Sequence, residues 1–226
     1  MIRAVVFDLW NTLAHSRGGS PFQRAKALLR PDQMAEFAAF QRDAMTRPYA
    51  DRSAFFAAWR DQLGLDTAQQ TELSEAFAAA EAEAELFPET AATLAGARAL
   101  ARLALLSNTQ SFDLELLDRL GLSEAIRVRG LSAELGAVKP EPQAFDALAK
   151  RLGLFPGNLV MVGDSWSDDI EGALAAGWTA IWINRAGKPR PEHDPEAELV
   201  ELPDLSQVPE VVERLQAGYR CSTCLG

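Results

Sequence analysis

Residues 160–187 read VMVGDSWSDDIEGALAAGWTAIWINRAG, and this stretch decides the fold. It begins inside an apolar strand, "NLVMVGD" (158–164), turns polar at Gly163-Asp164-Ser165, and runs into a helix-like segment at 167–176. Gly177 sits where that helix should end, as C-terminal glycines do. "TAIWIN" (179–184) is then a second apolar strand. A strand, a covering helix and a like strand form the repeating unit of a parallel sheet buried on both faces.

Working outward, the same alternation recurs. "IRAVVFD" (2–8) and "RLALLSN" (102–108) are strands of the same kind, and helix-like segments lie at 89–101, 110–120 and 141–152, with Gly121 and Gly153 closing two of them. "AIRVRGL" (125–131) and "ELVEL" (198–202) are weaker strands. The expected class is α/β, a doubly wound parallel sheet of Rossmann-like type. From 21 to 86 the chain does not alternate. It is rich in Ala, Gln, Glu and Phe at helical spacing, and Pro31, Pro48 and the Gly64-to-Asp66 stretch divide it into three or four helices. Thr67 with Gln70 reads as a capping box opening the last of these. "RGGSP" (17–21) and "FPE" (87–89) flank the block as hinges. A helical insertion after the first strand is the simplest account: a core of 1–14 plus 88–226 and an inserted domain of 15–87.

The 226 residues suffice for one sizeable core, or one domain carrying a smaller insertion. A net charge of −10 argues against nucleic acid as a main partner. No segment of about 18 apolar residues lacks charges, so no membrane span is expected. "MIRAVVFD" brings an acid too early for a signal peptide, which leaves the cytoplasm as the expected location. Oligomeric state is not legible. The tail "RCSTCLG" carries the only cysteines, Cys221 and Cys224. Such a pair is half a zinc site or a redox couple, but nothing completes it, and a frayed terminus is expected. With only two histidines, His15 and His193, Ser-His or Cys-His catalysis is not expected. Carboxylates remain.

The carboxyl ends of parallel strands form the crevice where ligands bind. There the chain places Asp8, then Ser107 and Asn108, then Gly163, Asp164 and Ser165, while "AVKPEP" (137–142) supplies Lys139 just ahead of a helix. An aspartate at the end of a buried strand is costly without partners or a task. Asp8, Asp164 and Asp169 or Asp168 would repel one another unless a cation neutralised them. All-oxygen donors favour a hard metal such as Mg²⁺. Lys139 and the backbone amides near Asn108 would meet the charge of a phosphate.

"VVFDLWNTL" (5–13), "LALLSN" (103–108), "AVKPEPQAF" (137–145) and the 160–187 stretch resemble, in order, the four signature motifs of the haloacid dehalogenase superfamily. The block at 15–86 resembles the cap domain that family inserts after its first motif. The resemblance implies that Asp8 is a nucleophile, forming an aspartyl-phosphate in the phosphatases or an aspartyl ester in the dehalogenases. Ser107 and Lys139 would hold the phosphoryl oxygens, with Asn108 and Thr12 beside them on the substrate side and Thr12 fixing the nucleophile loop. Asp8, the backbone carbonyl of Trp10 and Asp164 would ligate Mg²⁺. Asp169, or in its stead Asp168, would ligate or orient a bound water.

Trp10 departs from this pattern. The family's phosphatases carry a second aspartate there, which protonates the leaving alcohol and then activates water. General acid–base help of this kind is worth about 10²–10⁴-fold. An indole donates a hydrogen bond but takes up no proton. The dehalogenases also lack that aspartate, usually having Tyr, but they need no metal and carry uncharged residues where Asp164 stands. "GDSWSDD" keeps the acids. The expected function is therefore a Mg²⁺-dependent phosphatase acting on a small phosphorylated metabolite through phospho-Asp8, weak on unactivated esters. The alternatives are a metal-free 2-haloacid dehalogenase-like hydrolase and a phosphate- or metabolite-binding protein without turnover. Trp10, Trp59 and Trp166 also read as packing residues. His15 is the one imidazole near the first motif that could supply a proton, and Arg17, Arg47 and Trp59 are candidate specificity residues of the insertion.

Overall fold

The computed structural model of the chain describes residues 1–110, 114–194 and 197–222. Cys224 lies outside them, as does the side chain of Cys221. The strands are β1 (Ala4–Phe7), β2 (Ala14–Ser16), β3 (Ala84–Leu86), β4 (Arg102–Ser107), β5 (Val128–Leu131), β6 (Leu159–Gly163), β7 (Thr179–Ile183) and β8 (Leu199–Leu202). Six of them form one sheet in the order β5-β4-β1-β6-β7-β8. Every pairing in it is parallel. The two weaker segments of the sequence are its edges.

Period-two alternation explains why the strands are continuous apolar runs. Val5, Phe7, Leu105, Val162 and Ile181 pack on one face, and Val6, Ala104, Leu106, Met161 and Trp182 on the other. Helices cover both faces, so neither set meets water. The sequence analysis assigns no helix to 208–222, yet Val208–Ser222 is one. Val208, Val211 and Val212 recur at helical spacing and are buried on the first face.

Between β2 and β3 lie four helices, α1 (Pro21–Leu28), α2 (Pro31–Met45), α3 (Arg52–Leu63) and α4 (Thr67–Ala82). Pro31 divides α1 from α2 and opens α2, since the first helical position needs no N–H. The capping box of α4 falls one residue before the expected pair. The Asp66 carboxylate accepts from the Gln69 N–H at 2.8 Å, and the Gln69 side-chain oxygen accepts from the Asp66 N–H at 3.1 Å. The block has an apolar cluster of its own, with Phe37, Phe40, Phe55 and Leu73 gathered at Trp59. Trp59 is fully buried there and meets Phe40 edge to face at 4.8 Å. Beside the expected hinges at 17–21 and 87–89 runs a short ribbon that sequence reading did not find: β2 and β3 pair antiparallel, Ala14 opposite Leu86 and Ser16 opposite Ala84.

The segment after β6 packs closely against Pro140 and the helix that follows it. A Cβ at Gly172 would lie 2.6 Å from the Phe145 ring and 3.1 Å from the Pro140 backbone. Gly172→Ala is therefore expected to destabilise the protein by about 1–3 kcal/mol through overpacking. Urea unfolding checks this, and an unchanged midpoint would show that the wall yields freely.

Candidate active site

Asp8 follows β1, and β1 lies between β4 and β6. The three strand ends thus bring Asp8, Ser107, Asn108 and Asp164 to one cleft of about 550 Å³, joined by Trp10, Lys139 and Asp169. The Lys139 ammonium is buried, donating to Asp8 Oδ1 at 2.6 Å and to Asp169 Oδ1 at 2.5 Å. Asn108 fixes the Lys139 backbone from both sides. Its Nδ2 donates to the Lys139 carbonyl at 3.0 Å, and its Oδ1 accepts from the Lys139 N–H at 2.7 Å.

Asp169 reaches the cleft because β6 ends in glycine: a Cβ on Gly163 would come within 2.2 Å of Asp169 Oδ2. The segment Trp166–Glu171 is a π-helical turn, and π turns often mark functional sites. It returns Asp169 beneath the loop, where its Oδ2 accepts from the Ser165 N–H at 3.0 Å. Carboxylate oxygens of Asp8, Asp164 and Asp169 lie within 4.8 Å of one another. Asp168 is outside this group and lines the cleft beside it.

Three carboxylates gather at one buried ammonium, and two of them, Asp164 and Asp169, have raised pKa values. Burial pushes Asp164 up to about 7, the charge of Asp8 adds to this, and Lys139 and Lys188 oppose it. Burial likewise raises Asp169 to about 7 against the pull of Lys139. Burial alone would lower Lys139, but Asp169 and Asp8 together hold it above its ordinary value, so it stays protonated. A set of hard oxygen donors with net negative charge fits a hard divalent cation.

The other sequence-predicted residues fall elsewhere. Thr12 is fully buried and absent from the cleft wall. His15 does not reach the cleft: within β2 its ring stacks on Phe87 at 4.6 Å and its Nε2 lies 3.5 Å from Glu85. Alternation turns its neighbour Ser16 inward instead. Arg17 pairs with Glu85 at 2.7 Å, Arg47 with Asp43 at 3.0 Å, and Trp59 is core. None of the three lines the cleft or the cavity next to it.

Some residues at the site escape sequence reasoning. Lys188 lines the cleft, its backbone gripped by Asn184 as Lys139 is by Asn108. Trp182 Nε1 donates to the Asp164 carbonyl at 3.0 Å. Arg185 donates to the carbonyl of Thr12 at 3.2 Å and of Asn11 at 3.4 Å, bracing the loop after Asp8. The only advance signal was position: all three lie in or next to the "WINRAGK" run after a strand end.

Residues 2–177 match the family model of haloacid dehalogenase-like hydrolases. Over 128 residues the chain is 38% identical to a phosphoserine phosphatase of Thermus thermophilus, covering 56% of this chain and 50% of that protein. Over 233 residues it is 30% identical to (S)-2-haloacid dehalogenase 1 of a Pseudomonas species, covering 95% of this chain and 98% of the other. A solved 2-haloacid dehalogenase from Pseudomonas syringae superimposes with a TM-score of 0.65 at 30% identity, covering 95% and 99% of the two chains. The chain spans about half the length of the curated phosphatases it matches first.

The raised acids give a pH test. A carboxyl whose folded value exceeds its unfolded one stabilises the fold below about pH 4, and that contribution is lost as pH rises through about 7. Metal-free protein should lose thermal stability across that window. Asp164→Asn, which cannot ionise, should raise Tm at about pH 8 by roughly 2–4 °C per kcal/mol recovered. A lower Tm in the variant would mean that the Asp164 charge is not in excess.

Proposed function

The chain belongs to the haloacid dehalogenase-like hydrolases, and from that premise we propose that it is a Mg²⁺-dependent phosphatase of small phosphorylated metabolites. One observation carries this reading: Asp164 and Asp169 lie with Asp8 in a group spanning 4.8 Å, opposed by one buried lysine. A nucleophile attacking a halo acid gains nothing from two further acids, which would repel the carboxylate of that substrate. A phosphatase needs them as cation ligands.

Residues 15–87 act in this reading as a cap over the core. Asp8, Asp164, Asp169 and the Trp10 carbonyl would hold Mg²⁺, whose charge offsets that of the carboxylates and phosphate. Asp8 attacks phosphorus as the ester bond to the leaving group breaks, giving phospho-Asp8. Ser107 and Lys139 hold the phosphoryl oxygens as charge shifts onto them. Asn108 keeps Lys139 in position, and Thr12 stabilises the nucleophile loop from behind. Water then attacks phosphorus, releasing phosphate and restoring Asp8. With Trp10 in place of an acid/base, both proton transfers lack a partner.

A second reading has its own support: the near full-length identity to a haloacid dehalogenase. A screen of phosphomonoesters, acyl phosphates and 2-halo acids, with and without Mg²⁺, separates the two. Phosphate release that needs Mg²⁺ and disappears in Asp8→Asn is expected. Chloride release without metal would overturn the phosphatase reading.

Trp10 sets the expected substrate order. Acyl phosphates and aryl phosphates with acidic phenols leave as stable anions, whereas alkyl phosphates should lose most of the general-acid contribution, about 10²–10⁴-fold. Trp10→Asp should raise kcat/KM for an alkyl phosphate more than for an activated aryl phosphate. Equal, fast turnover of both by the wild type would show that another group supplies the proton.

A further inference from the structure

Next to the catalytic cleft lies a second cavity of about 270 Å³, between the helical block and the sheet. Trp10, Asn11, Asn108 and Asp168 line both spaces, so the two adjoin. A leaving group bonded to a phosphate in the cleft extends into this cavity. Its walls therefore decide which leaving groups fit.

The charges are unevenly divided between the two spaces. Lys139 and Lys188 both line the cleft. Among the described residues, no Lys, Arg or His lines the cavity, whereas Glu81 and Asp168 do. Glu81 is already paired with Arg52, which itself stays off the wall. Much of the remaining surface is apolar: Phe22, Met45, Phe55, Phe77 and Ala80. Two uncharged polar residues on the wall, Ser16 and Gln110, have buried side-chain oxygens with no hydrogen-bond partner. Gln110 uses its amide nitrogen on the Ala44 carbonyl, which leaves its oxygen as an acceptor. An acceptor of this kind suits a hydroxyl or N–H.

Size narrows the choice further. An apolar cavity of about 150 Å³ accepts a benzene ring, and drug-sized ligands need about 300–1,000 Å³. A space of about 270 Å³ holds one ring with a short polar chain. A carboxylate on the leaving group would be desolvated beside Asp168 and the Arg52-paired Glu81, with no cation among the described residues on the wall to meet it, which is unfavourable.

We propose that this chain selects phosphate esters whose leaving group is small, uncharged and ring-bearing, with one hydrogen-bond donor, and excludes leaving groups that carry a carboxylate. The proposal rests on the phosphatase reading for the phosphate and on the cavity walls for the rest. It separates the chain from its phosphoserine phosphatase relative, whose named substrate carries a carboxylate.

The test uses esters of similar leaving-group basicity, so that the effect of Trp10 cancels. With Mg²⁺ present, kcat/KM for 3-(hydroxymethyl)benzyl phosphate should exceed that for 3-phosphoglycerate by about 10²-fold. Gln41 lines the cavity, and Gln41→Lys, which puts an ammonium on the wall, should narrow that ratio at least about tenfold. Equal turnover of the two esters by the wild type would overturn the proposal and leave the phosphatase reading intact. If neither ester is hydrolysed, the acyl and activated aryl phosphates decide the phosphatase reading, and binding of the free alcohols decides the proposal. Calorimetry on the wild type should then show 1,3-benzenedimethanol binding more tightly than glycerate. Equal or reversed affinities would overturn it.

Discussion

The buried ammonium of Lys139, set between Asp8 at 2.6 Å and Asp169 at 2.5 Å, is the constraint on which the rest of the site depends. A cation removed from water is tolerable only with opposite charges in contact and its geometry fixed. Asp8 is delivered by β1, Asp169 by the turn after β6, and the Lys139 backbone is clasped by Asn108 at the end of β4. Three neighbouring strands must therefore end at the same level. The parallel sheet supplies that, with β1 flanked by β4 and β6. Gly163 is required because only a residue without a Cβ lets Asp169 pass under the strand end.

This pairing is half of a charge balance that the protein alone leaves incomplete. Lys139 and Lys188 do not offset three carboxylates, and burial together with the charge of Asp8 raises the pKa of Asp164 and Asp169. The same excess that weakens the metal-free protein favours a hard cation, so stability and chemistry are linked through the same atoms.

The sheet was legible because its signal is local. Each strand is an apolar run buried on both faces, and each needs only its own residues to declare itself. The acids at the strand ends were legible for the same reason. Hidden features came from contacts across long separations. His15 looked near the nucleophile by seven residues of chain, but β2 turns its ring toward Phe87 and Glu85. Val208 and Val212 stand at the four-residue spacing of a helix, but no flanking cap residue marks where that helix starts. The cavity wall was out of reach entirely. Ser16, Gln41, Phe77 and Gln110 come from separate elements, and nothing in their local sequence says that they meet.

Arg185 shows how such a long-range contact shapes the site. Its guanidinium lies 3.5 Å over the Phe87 ring and pairs with Glu89 at 2.7 Å, while donating to the carbonyls of Asn11 and Thr12. Asn11 has a positive φ of 60°, a conformation Asn tolerates better than most residues. One side chain thus joins the strained turn after Asp8 to the segment where the helical block returns to the core. The turn also presents Trp10, whose indole is common to the cleft and the cavity. On the proposed phosphatase reading, Trp10 removes an acid from the chemistry and adds an aromatic surface beside the leaving group. The proton donor and the apolar wall then compete for one position.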